Sequence, residues 1–245
     1  KNKEALEYEC FRMLAYNSKC LIGDQLHPDG RISPEVYDLI GDVYAQVEKK
    51  EPWCTKATEV VELGVLTSEY YKTDSDSSLK KIPDEITGIC ALLDELGYQF
   101  NIIDEDEDFR KYKIVILPDN ILCSDFLADK IDNYIADGGR IIASYRSGLN
   151  YSETEFAIKR LGISLVGDAP YSPDFLVPTS EYGKRLFKTE YVMYNQGKEI
   201  KINDAKEVVK TYIPYFNRTW EHFCSHLHTP SSHKYGYPGI TECKG

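Results

Sequence analysis

Two short apolar runs near the middle of this chain lead directly into side chains that could bind a ligand or handle a proton. Lys113-Ile114-Val115-Ile116-Leu117-Pro118 opens onto Asp119 and Asn120, and Arg140-Ile141-Ile142-Ala143 opens onto Ser144, Tyr145, Arg146 and Ser147. Continuous apolar runs of this length read as strands buried on both faces of a parallel sheet. In such sheets ligands bind beyond the carboxyl ends of the strands, so Asp119, Ser144, Arg146 and Ser147 are candidates for a strand-edge pocket. The expected nucleophile is missing. A hydrolase elbow requires G-x-S-x-G, and Ala143-Ser144-Tyr145-Arg146-Ser147-Gly148 does not supply it. A glutaminase requires a cysteine on the turn; Tyr145 and Arg146 stand there, and Cys123 follows the preceding strand.

Two other groups carry chemistry. His222-Phe223-Cys224-Ser225-His226-Leu227-His228 would place His222, Cys224, His226 and His228 on one side if extended, and imidazole with thiolate suits zinc or copper. A polar, aromatic tail making assembly contacts accounts for the same residues. Asp24 and His27 follow the short apolar run Cys20-Leu21-Ile22-Gly23, where barrel enzymes place substrate-binding groups. Asp24 capping a turn and His27 lying on the surface explains them equally well.

The elements that must hold these residues alternate between helix and strand. A helix over 3–17, a strand at Cys20–Gly23 and a helix opened by Ser33-Pro34, with Val36, Ile40, Val43 and Val47 inward, occupy the first 56 residues. Strands follow at Val60–Leu66, Phe100–Ile103, Ile114–Leu117, Arg140–Tyr145 and Ile163–Val166. Between them come a polar loop at Ser75–Lys81, a helix over Ile82–Leu96, one presenting Leu127, Ile131, Tyr134 and Ile135, and one opened by the capping box Ser152-Glu153-Thr154-Glu155. Strands alternating with helices give an α/β fold, a doubly wound, mostly parallel flavodoxin-like sheet. Tyr191–Ile202 reads as a hairpin and Val208–Tyr215 as a strand.

The net charge of −11 disfavours nucleic acid, and no apolar run approaches the roughly 20 residues of a membrane span. Seven cysteines, an odd number with no C-x-x-C, point to reduced thiols in a cytoplasmic setting rather than a disulfide framework. Asn150-Tyr151-Ser152 and Asn217-Arg218-Thr219 match the glycosylation sequon, a short pattern that arises by chance. No motif calls for a cofactor. The chain begins at Lys1 and enters helix almost at once, which reads as a piece of a longer protein.

Cys20-Leu21-Ile22-Gly23-Asp24-Gln25-Leu26-His27-Pro28-Asp29-Gly30-Arg31, the helix ending in Glu51-Pro52-Trp53, the strand after Asp137-Gly138-Gly139, and Pro214-Tyr215-Phe216-Asn217-Arg218-Thr219-Trp220 together resemble the C-terminal part of glycoside hydrolases related to the family 42 β-galactosidases, near the family 151 α-L-fucosidases. The resemblance implies that residues 1–56 close a catalytic (β/α)8 barrel and leave a helix-strand-helix remnant. It implies that 57–213 form the trimerisation domain, a class I glutamine-amidotransferase-like fold without the cysteine, and that 214–245 extend it. Asp24, Gln25 and His27 would then sit on the barrel's catalytic face. The catalytic acid and nucleophile would lie on earlier strands, so this chain alone would be inactive. Its partners would be its own barrel, further copies in a dimer or trimer, and a carbohydrate substrate. A stand-alone flavodoxin-like binding module is the alternative.

Overall fold

The structure, a computed structural model, describes residues 2–67 and 82–244, and the chain divides into two compact units, Lys1–Val60 and Val61–Gly245. The polar loop expected at Ser75–Lys81 lies outside the described residues. Among the described residues no helix is long and apolar enough to cross a membrane.

In the first unit, α1 (Lys3–Ala15) is capped by Asn2, whose side chain accepts from the Ala5 amide. Helix α2 (Pro34–Cys54) starts on the expected proline. Leu6 and Cys10 of α1 meet Val43 and Val47 of α2 in a small core. Val36 remains exposed, so the inward stripe of α2 starts later than its spacing suggests. Cys20–Gly23 joins no ladder. Cys20 and Ile22 pack on the helices while Leu21 is 85% exposed. The buried strand expected there does not form among the described residues: the segment has no partner strand, and only Cys20 and Ile22 are covered.

The second unit begins with β1 (Leu63–Leu66), α3 (Asp84–Glu95), β2 (Phe100–Ile103), β3 (Ile114–Leu117), α4 (Asp125–Ala136) and β4 (Arg140–Ala143). The four strands are parallel, in the order β2-β1-β3-β4. Alternate residues serve opposite faces. Leu63, Val65 and Ile116 pack with Ile86 and Leu93 of α3, whereas Leu66, Val115 and Leu117 pack with Leu127 and Ile131 of α4. Helices therefore cover both faces, as a doubly wound sheet requires. Ser124 caps α4 through the Leu127 amide. At its other end Gly138 donates to Ile135 and Gly139 to Tyr134, a Schellman stop that needs the left-handed Gly138, φ +95°.

Two expectations fail downstream. No helix opens at Ser152. Asn150 takes the Thr154 amide, Asp132 takes those of Lys159 and Arg160, and only a 3₁₀ turn forms at Lys159–Leu161. Nor is Tyr191–Ile202 a hairpin. There β7 (Tyr191–Met193) pairs with β6 (Asp174–Val177), and β8 (Lys198–Ile202) pairs with β5 (Ile163–Asp168). Strands β9 (Lys206–Pro214) and β10 (Ser231–Glu242) complete an antiparallel sheet ordered β10-β9-β6-β7. Across it the buried Tyr237 hydroxyl donates to buried Asp174, 2.6 Å.

Burial raises the Asp174 pKa above the ordinary aspartate range, and the Tyr237 hydrogen bond offsets part of that rise. Between the unfolded-state and folded-state values, folding takes up a proton at Asp174. Its contribution is fullest in acid and is lost as pH rises through the folded-state value. Tyr237→Phe is expected to cost more near pH 8, where more of Asp174 is ionised and a carboxylate loses its donor (roughly 1.5–3 kcal/mol for a hydrogen bond to a charged group), and less near pH 4, where Asp174 is more protonated. Urea denaturation of both proteins at the two pH values checks this; an equal loss at both would contradict it.

Candidate functional site

The carboxyl edge of the parallel sheet gathers the candidates that follow β3 and β4. Asp119, Tyr145 and Glu153 all hold left-handed backbone, φ 47°, 52° and 52°, a conformation uncommon outside glycine. Each turn is fixed by its neighbour. Ser144 Oγ donates to Asp119 Oδ1 at 2.6 Å and accepts the Asp119 amide at 3.0 Å. Buried Ser147 accepts the Ile121 amide, and Arg146 N donates to the Asp119 carbonyl. The Arg146 guanidinium donates twice to Asn120 Oδ1, at 3.1 and 2.9 Å, and once to Glu153 Oε1 at 2.8 Å. Lys198, on β8, lies 2.6 Å from Asp168 and 3.9 Å from Glu153. Tyr145 is flanked by both cations, each 5.6 Å from its ring centre.

The structure thus brings Asp119, Ser144, Arg146 and Ser147 together, and uses their polar atoms to close two turns. The charged members already have partners within the cluster. Tyr145, on the same turn, joins them, as do Glu153, Asp168 and Lys198; the last two come without warning from the sequence, since they lie on β5 and β8, remote in the chain. Cys123 is buried, and burial pushes its thiol up to about 12, so no thiolate is available at neutral pH.

The tail residues do not converge. Residues 218–228 form bends instead of one extended run. His222 lies near Phe216, Cys224 Sγ contacts the His226 carbonyl, and the His228 ring sits between Phe175 and Tyr194 with Nδ1 at 2.7 Å from the Thr229 carbonyl. Among the described residues no group of three or more His, Cys, Asp or Glu is placed to hold a metal ion. Asp24, Gln25 and His27 lie exposed in the loop before α2, where His27 N bonds to the Arg31 carbonyl and Asp29 pairs with Arg31 at 2.5 Å.

Residues 72–160, which contain α3 to β4 and the Arg146 turn, match the family described as the β-galactosidase trimerisation domain. This chain carries a β-galactosidase trimerisation domain. Over its whole length the chain is 38% identical to α-L-fucosidase isoenzyme 2 from Paenibacillus thiaminolyticus, with a TM-score of 0.86, and spans 37% of that protein. A catalytic mutant of a family 42 β-galactosidase from G. stearothermophilus is 16% identical over 89% of this chain and 35% of its own, TM-score 0.65. The β-galactosidase from Bacillus circulans sp. alkalophilus is 16% identical over 89% of this chain and 32% of its own, TM-score 0.62. These two likenesses concern the fold. Comparison with curated proteins gave no match. The Arg146 turn lies inside the trimerisation domain as matched; the tail histidines lie outside it.

Arg146→Met should destabilise the trimerisation domain by about 1–3 kcal/mol, because Asn120 and Glu153 lose their donor. Denaturation midpoints measure this, and an unchanged midpoint would show that the Arg146 contacts do not brace the domain. Zinc titrated into the chain should release no heat beyond dilution and leave the melting temperature in place; a stoichiometric isotherm would restore the tail as a metal site.

Proposed function

We propose that this chain is the assembly region of a glycoside hydrolase, that the whole enzyme acts on α-L-fucosides, and that copies of it associate through the trimerisation domain. The whole-length match to the named fucosidase carries the reading, with 38% identity against 16% for the two β-galactosidases. A β-galactoside substrate is the runner-up.

Two features support a scaffold role. The strand edge, where this fold class binds ligands, is filled by the chain's own Asp119–Ser144 and Arg146–Glu153 contacts. Among the described residues, Cys20 to Leu26 make no backbone–backbone hydrogen bond, although Cys20 and Ile22 pack on helices. A segment whose alternate residues are covered while its backbone groups bond to no neighbour fits a barrel strand without its partners. We read residues 1–56 as the end of a (β/α)8 barrel, 57–213 as the assembly domain and 214–245 as its extension. Asp24, Gln25 and His27 then follow a barrel strand on the substrate side, and the acid and nucleophile belong to earlier strands.

On this reading the chain alone releases no nitrophenol from nitrophenyl α-L-fucoside or β-D-galactoside. The product of the complete reading frame hydrolyses the fucoside faster and has the light-scattering mass of a dimer or trimer. Turnover by the chain alone, or a faster galactoside reaction, would falsify the assignment.

A further inference from the structure

The connection between β9 and β10 is tied down along its length. Asn217 donates its amide to the Pro170 carbonyl at 2.8 Å and accepts the Ser172 amide at 3.1 Å. The Thr229 hydroxyl donates to the Phe216 carbonyl at 3.1 Å. Arg218 Nε donates to the Cys224 carbonyl at 3.1 Å, and its guanidinium lies 4.8 Å over the Phe223 ring. At the apex, Thr219 N bonds to the His222 carbonyl at 2.9 Å while His222 N bonds to Thr219 Oγ1 at 3.1 Å. A four-residue turn closed in this way puts Trp220 and Glu221 at its corners. Trp220 is 90% exposed, and Tyr215 and Phe223 of the same loop are exposed as well.

Binding residues concentrate on loops held by an ordered scaffold, and this loop exposes three aromatic rings. Its chemistry selects the occupant. Glu221, kept ionised by its own amide and the Thr219 hydroxyl, repels an anion, as does the net charge of −11. The core of a protein interface is depleted in such charges. An indole beside a carboxylate and an imidazole suits a neutral pyranose, with ring C–H bonds on the aromatic face and hydroxyls hydrogen-bonded to the polar groups. Galactose and fucose pyranosides, whose axial C4 hydroxyl leaves three C–H bonds on one ring face, offer that shape.

We propose that the β9–β10 loop is a carbohydrate-binding subsite in which Trp220 stacks on a galacto-configured pyranose and Glu221 and His222 hydrogen-bond its hydroxyls. The choice of sugar rests on the glycoside hydrolase reading above; the loop lies outside the matched trimerisation domain.

The chain has two tryptophans, so Trp53→Phe leaves Trp220 as its one indole reporter. Methyl α-L-fucopyranoside or methyl β-D-galactopyranoside should change its emission saturably, with a dissociation constant on the order of 1 mM. Calorimetry on Trp220→Ala, an exposed substitution that spares the fold, should show no binding, and Glu221→Gln should bind several-fold more weakly. The proposal is overturned by the absence of saturable binding up to about 100 mM, by binding unchanged in Trp220→Ala, or by a loss of oligomer mass in Trp220→Ala without any sugar binding in the parent. None of these results alters whether the complete enzyme cleaves the nitrophenyl fucoside, so the two readings fail separately.

Discussion

Burying both faces of β1 and β3 is the constraint that organises the second unit. Val65, Leu66, Val115 and Leu117 are all but inaccessible, and each fully buried aliphatic side chain contributes roughly 1.5–3 kcal/mol. Neighbouring residues on a strand point in opposite directions, so no single helix can serve them all. Helix α3 takes Leu63, Val65 and Ile116; α4 takes Leu66, Val115 and Leu117. The parallel ladder and the crossovers follow from that division of labour, and the turns after β3 and β4 fall side by side because those strands are neighbours.

That adjacency explains both the promise and the silence of the strand edge. Parallel neighbours deliver Asp119 and Ser144 to one place, as they would in an enzyme of this fold class. Here the polar atoms are spent on one another: serine on aspartate, arginine on asparagine and glutamate. Groups satisfied in this way fix backbone geometry rather than await a ligand. A rigid edge of that kind suits a domain whose family is named for assembly.

The parallel core was legible in the sequence because its signals are local. Ile114–Leu117 and Arg140–Ala143 are near-continuous apolar runs, α4 carries its own serine cap, and Gly138-Gly139 ends it. What was not legible depends on partners distant in the chain. Ser152-Glu153-Thr154-Glu155 has the letters of a helix start, yet Asn150 and Asp132 claim the amides a helix would have used. Tyr191–Met193 and Lys198–Ile202 have the look of a hairpin, but each finds a different, earlier strand. Of the strand-edge cluster, Asp119, Ser144, Arg146 and Ser147 could be named from strand ends alone. Lys198 and Asp168 could not, because no local pattern records which strand pairs with which. The tail histidines failed for a similar reason: their projection assumed an extended backbone, and Thr219, Arg218 and Thr229 bend it.

The clamp at Asn217 bears on how the protein can be made. Its side-chain nitrogen is the atom that oligosaccharyl transfer would modify in Asn217-Arg218-Thr219, and in the folded chain that nitrogen already donates to the Pro170 carbonyl while the amide oxygen holds Ser172. A glycan attached during synthesis in a secretory host would occupy the atom that anchors the β9–β10 loop to the segment before β6. The modified amide would keep one N–H and its oxygen, so the anchor could persist only with that N–H turned to Pro170 and the glycan turned to solvent; a host that does not glycosylate imposes no such condition.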